Sequence, residues 1–242
     1  LEEIKKIDPG FIKKLKFLIK KNYCELIGSG YSQLIGPLTP SKISDYNLKI
    51  GNKIYSKFLN AKSKIALVNE QAFSSGVIDN YLDNGYKTLI IDWDNCLKSN
   101  KEIKKKYFFF PQKILSPRKR KINVIWSSSI FFQKFQRFVQ GEIGLNEYLK
   151  FIKLKKQKIK NSSICIYASD LEAINYRTNR YKTESKIEKS EWDRVKILIK
   201  KLLEKNFTFI KPSETLKSNK NKFSFKTLEF NNPAFPCLTK KN

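Results

Sequence analysis

The chain has 242 residues, 40% hydrophobic and 13% aromatic, which is enough apolar material for a full α/β core and too much for a disordered chain. Its 49 Lys and Arg against 22 Asp and Glu give a net charge of +27, which keeps a polyanion-binding reading open although the lysines are scattered along the whole length. With no His, no mechanism can use an imidazole, and four widely spaced cysteines (Cys24, Cys96, Cys165 and Cys237) argue against a zinc site.

In chain order, Asp8-Pro9 predicts a helix start, a cap followed by proline in the first turn, with Phe11, Ile12, Leu15, Leu18 and Ile19 on one apolar face. Residues 24–28 (Cys-Glu-Leu-Ile-Gly) read as a short strand before the polar turn Ser29-Gly30-Tyr31-Ser32-Gln33. Residues 43–60 carry Ile50, Ile54, Tyr55 and Phe58 at helical spacing. Ile65 to Asn69 is a buried-strand run that ends at one carboxylate, Glu70. A helix over 76–84 should stop at Gly85, and Thr88 to Ile91 should form a strand that ends in Asp92-Trp93-Asp94-Asn95.

Residues 97–121, basic and carrying Pro111 and Pro117, read as a loop excursion. Asn123 to Trp126 is the next strand, then helices follow through Phe131 to Val139 and Leu145 to Ile152. Ser163 to Tyr167 reads as a strand ending at Ala168-Ser169-Asp170. Trp192, Val195, Leu198, Ile199 and Leu202 mark an amphipathic helix, Phe207 to Ile210 a last strand, and from Lys217 onward the pattern predicts loop. The alternating pattern thus runs over residues 1–216, and 217–242 read as a tail. No run of about 18 apolar residues marks a membrane span. Unpaired thiols fit a reducing cytoplasm.

Alternating strands and helices argue for a parallel α/β sheet or barrel. If the strands are parallel, Glu70, Asp92, Asp94, Trp126 and Asp170 converge at one edge, where such folds place their chemistry. Two carboxylates there, Glu70 and Asp170, suit glycoside hydrolysis: one attacks the anomeric carbon and the other protonates the leaving oxygen, from about 5 to 5.5 Å apart in a retaining enzyme. Asp170 would then need burial or a neighbouring acid to hold its proton near neutrality. The alternative is two unrelated surface acids. Leu89 to Asn95 also resembles the first motif of haloacid dehalogenase-type phosphatases, but Cys96 stands where that family has Thr or Val, and no later acidic pair follows. Gly28-Ser29-Gly30 lacks the third glycine of a dinucleotide site.

Four stretches in order resemble glycoside hydrolase family 57. Glu25 to Leu38 is similar to its second conserved region, Ala66 to Phe73 to the third, and Ala168-Ser169-Asp170-Leu171-Glu172 to the fourth; Pro212-Ser213-Glu214 and the run after Trp192 resemble the end of the catalytic domain. The resemblance implies an incomplete (β/α)7 barrel acting on α-glucan as hydrolase or transglycosylase, with Glu70 as nucleophile and Asp170 as acid/base. It implies further that Tyr31, Asp92, Trp93, Trp126 and Glu172 face an oligo- or polysaccharide substrate, with no metal or other cofactor.

The sequence departs from the family where a first, histidine-bearing strand is expected, and Ser32 and Gln33 stand where an acid usually follows the tyrosine. A catalytic-domain portion without its first strand and C-terminal part is therefore expected. The alternatives are a basic polyanion- or nucleic-acid-binding protein, or an inactive barrel serving as scaffold.

Overall fold

The structure is a computed structural model that describes residues 1–156, 162–168, 174–176, 186, 190–218 and 222–236. The chain divides into two compact units, one of residues 1–126 and 211–242, the other of 127–210.

In the first unit, α1 (Glu2–Ile7) leads into α2 (Pro9–Lys20), whose start is fixed as the sequence predicts, with the Asp8 side chain accepting from the Phe11 amide at 2.9 Å and Pro9 opening the first turn. Helix α3 (Ser41–Leu59) ends at Asn60, which takes the left-handed conformation that closes many helices. The strand β1 (Ile65–Leu67) follows, then a 3-10 turn at Asn69–Gln71 and α4 (Ile78–Asp83). Gly85, at φ +85°, supplies the reversal into β2 (Thr88–Asp92), a strand buried at every position. Helix α5 (Trp93–Ser99) starts directly from that strand. β3 (Gln112–Leu115), β4 (Lys121–Ser127), α9 (Pro212–Ser218) and β5 (Thr227–Leu228) complete the unit.

Among the described residues the strands form one sheet in the order β1-β2-β4-β3-β5. β1 and β2 are parallel, with Ile65 opposite Thr88 and Leu67 opposite Ile90. A bridge from Gly28 to Ala66 adds the 24–28 segment beside β1, by one pair rather than as a full strand. The sheet is mixed, because β3 runs antiparallel to β4 and parallel to β5.

β3 and β5 fall where the sequence predicts loop. Gln112, a fully buried side chain, ties the two segments together: its Nε2 donates to the carbonyls of Phe110 and Phe223 at 3.1 and 2.8 Å, while its Oε1 accepts from the Lys226 amide at 2.9 Å. One glutamine thus stitches the basic excursion to the C-terminal segment, a long-range tie that no local periodicity encodes.

The second unit holds α6 (Ser129–Val139), α7 (Leu145–Lys156) and α8 (Glu191–Glu204). Phe138 stacks on the fully buried Tyr148 with centroids 5.2 Å apart. The expected strand at 163–167 is absent: the Tyr167 ring packs against Phe132 and Phe135 of α6 and no ladder forms. The expected strand at 207–210 is absent too. The chain leaves α8 through Asn206 at φ 61°, and Phe209 and Ile210 stay exposed and form no strand. No helix among the described residues is long and apolar enough to cross a membrane.

Candidate active site

Because β1 and β2 are parallel, their C-terminal ends open on one edge of the sheet. Glu70 stands just past the first end and Asp92 closes the second. Glu70 is exposed and lies in a 3-10 turn with left-handed backbone, φ 53°. Asp92 is only 2% exposed, and one of its oxygens accepts from the Asn95 amide at 2.8 Å, so it serves as the cap of α5.

The turn around Glu70 is tied down on both sides. Before it, the Val68 amide donates to the Ile90 carbonyl at 3.1 Å, and the Asn69 side chain joins the 29–32 turn: Nδ2 donates to the Ser32 carbonyl at 3.0 Å and Oδ1 accepts from the Ser29 hydroxyl. After it, Phe73 and Ala234 exchange two backbone hydrogen bonds, at 2.8 and 2.7 Å. Tyr31 belongs to the same 29–32 turn and is exposed. Its hydroxyl donates to Glu2 at 3.0 Å, and that hydrogen bond to a carboxylate pushes the phenol above its ordinary range.

Trp93 and Trp126 do come together, edge to face, with centroids 5.0 Å apart. Both are buried. Phe230 links the pair to the Glu70 segment, lying 6.2 Å from Trp126 and 5.7 Å from Phe73 between ring centroids. The indole N–H of Trp126 is buried and has no hydrogen-bond partner among the described residues. These aromatics pack together in the core.

Asp170 and Glu172 lie outside the described residues. Among the described residues no group of His, Cys, Asp and Glu side chains could hold a metal ion.

Asn69, Ser29 and Ser32 are contacts of this turn that the sequence does not single out. An Asn directly before the strand-end acid and serines in the preceding turn were visible, but their contact depends on the Gly28–Ala66 pairing, which brings the two turns side by side.

The family model for Glycosyl hydrolase family 57 matches residues 1–227. Among solved structures the chain is similar to a 4-α-glucanotransferase from Thermococcus litoralis, at 14% identity and a TM-score of 0.68, with 95% of this chain and 33% of that one covered. It is similar to a GH57-type branching enzyme from Pyrococcus horikoshii, at 12% identity and a TM-score of 0.65, covering 94% and 51% of the two chains. An exo-type maltose-forming amylase from a Pyrococcus species gives 14% identity and a TM-score of 0.64, covering 89% and 38%. The chain therefore spans from a third to about half the length of these structures, with which it shares the α/β fold of an incomplete (β/α)7 barrel. No curated protein matches it.

Proposed function

Since the chain belongs to glycosyl hydrolase family 57, we propose that it acts on α-glucan as a retaining glycoside hydrolase or transglycosylase, with Glu70 as nucleophile and Asp170 as general acid/base. The observation that carries the reading is the family match combined with the position of Glu70, an exposed carboxylate held at the end of a buried parallel strand. The solved relatives, named as a glucanotransferase, a branching enzyme and an amylase, support α-glucan as the substrate class. The catalytic portion takes in residues 1–216.

In this mechanism a Glu70 oxygen attacks the anomeric carbon as the glycosidic bond breaks, and the leaving oxygen takes its proton from Asp170. The sugar is then ester-linked to Glu70. Asp170, now a carboxylate, removes a proton from water or from a sugar hydroxyl, which attacks the same carbon and frees Glu70. Water gives hydrolysis and a sugar gives transfer. Tyr31, exposed on the 29–32 turn, is the contact offered to the sugar, with Glu172 as the other, while the buried Asp92, Trp93 and Trp126 support the strand ends from within.

The test is turnover of an activated aryl maltooligosaccharide. Glu70→Gln is expected to lower kcat by about 1,000-fold or more with an unchanged circular dichroism spectrum, and azide should restore turnover to Glu70→Ala by replacing the missing nucleophile. Wild-type turnover by Glu70→Gln refutes the proposal. A second reading, polyanion binding, draws on the charge of +27 and predicts a nucleic-acid gel shift that weakens steeply with salt.

A further inference from the structure

Glu70 and Gln71 are consecutive non-glycine residues in the left-handed region, at φ 53° and 51°. Such backbone is unfavourable for a residue with a Cβ and persists only where its surroundings over-determine it. Most of the backbone ties here would form for any side chains: Gln71 N to Val68 O at 3.2 Å, Ala72 N to Asn69 O at 3.2 Å, and the Phe73–Ala234 pair. The side chain of Asn69 is different. Its two ends grip two points of another turn, the Ser29 hydroxyl and the Ser32 carbonyl.

That second turn is itself rigidly placed. The Ser29 amide donates to the Tyr55 hydroxyl at 2.9 Å, and the same hydroxyl donates to the Ser29 carbonyl at 3.2 Å. Asn47 clasps Ser32 from α3, accepting from its amide at 2.8 Å and donating to its carbonyl at 3.0 Å. Gly51 lets α3 come this close, since a Cβ there would sit 2.6 Å from the Ser29 carbonyl oxygen. A 19-residue helix thus anchors the 29–32 turn, and that turn holds Asn69.

We propose that Asn69, gripped by Ser29 and Ser32, is a positioning residue that fixes the aim of the Glu70 carboxylate. The inference rests on Glu70 being the nucleophile. Attack on an anomeric carbon tolerates little misplacement, so freeing the turn lowers kcat while substrate binding elsewhere continues.

The experiment uses the 242-residue chain and an activated aryl maltooligosaccharide, with Glu70→Gln, Asn69→Ala, Ser29→Ala and Ser29→Thr. Asn69→Ala is expected to lower kcat by about 10- to 100-fold with KM within about twofold. Ser29→Ala should lower kcat by about 10-fold, and Ser29→Thr, which keeps the hydroxyl, should recover most of it. Because both side chains serve one link, Ser29→Ala added to Asn69→Ala should cost little more than Asn69→Ala alone.

If Glu70→Gln is dead while Asn69→Ala keeps wild-type kcat, the positioning role is overturned and the nucleophile assignment stands. If Ser29→Thr is as impaired as Ser29→Ala, the hydroxyl link is overturned. Should Asn69→Ala fail to fold, the two Ser29 variants decide the question on their own. An inactive wild-type chain, or an active Glu70→Gln, overturns the underlying reading and the positioning role with it.

Discussion

Glu70 and Asp92 are acids at the ends of two neighbouring parallel strands, yet their environments differ. Asp92 is buried and spends an oxygen on the first turn of α5, whereas Glu70 stays exposed on a turn held by its neighbours. Removing a carboxylate cap leaves a helix-end amide short of its acceptor, so Asp92→Ala should cost about 1 to 2 kcal/mol in urea denaturation. A variant as stable as the wild type would show that the cap contributes nothing. The contrast also bears on what was legible. That both acids end strands could be read from their apolar approaches. Which of them faces water could not, because it turns on the Asn95 amide folding back to Asp92. In the same way the Ser29–Asn69 link joins residues that only sheet pairing makes neighbours.

Elements set by local chemistry were the most legible. The starts of α2 and α4 to within a few residues, the stop at Gly85, and the amphipathic runs of α3, α6 and α8 follow from caps, glycine and helical spacing. Strands fared worse because a strand needs a partner: Ser163 to Tyr167 has the right residues and no ladder, while Gln112 to Leu115 sits in a basic, proline-flanked segment and has one. Between helices, α3 is pinned to the end of α4 through Asp45. Its carboxylate meets Lys49 at 2.7 Å and accepts from the Asn84 side chain at 2.7 Å, and these bonds, the one from Lys49 first, hold it below the ordinary aspartate range. A folded-state value below the unfolded one adds stability that is complete above the unfolded aspartate range and is lost as pH falls through the lowered folded value. Asp45→Asn should therefore be less stable than the wild type by about 0.5 kcal/mol at neutral pH, with the gap closing in acid. Paired urea melts from neutral to acid pH check this; a gap that stays constant would mean the carboxylate's charge is not what matters.

At the scale of the whole molecule the family was legible from the order of four stretches, and the match over residues 1–227 bears that out. Charge is the property that only the whole molecule shows. Among the described residues, the ion pairs are mostly exposed, such as Lys6–Glu3, Lys196–Asp193 and Lys119–Glu229, and exposed pairs are each worth at most about 1 kcal/mol. Against them stands a net charge of +27, whose repulsion acts between every pair of uncompensated lysines within a screening length. That length shrinks from about 30 Å at 0.01 M salt to about 10 Å at 0.1 M. Added salt weakens both the attraction and the repulsion. Attraction across a contact of a few ångströms loses little to screening at these lengths, whereas repulsion between charges 10 to 20 Å apart loses much of its strength. The balance therefore favours the folded chain as salt rises. The thermal midpoint should climb by a few degrees between about 0.01 and 0.2 M sodium chloride at neutral pH, a range below that in which salts act on apolar hydration. Most of the climb should come before about 0.1 M, following the screening length. A midpoint that falls over this range would mean that ion pairs outweigh the excess positive charge, and a flat one that the lysines are too widely spread to feel one another.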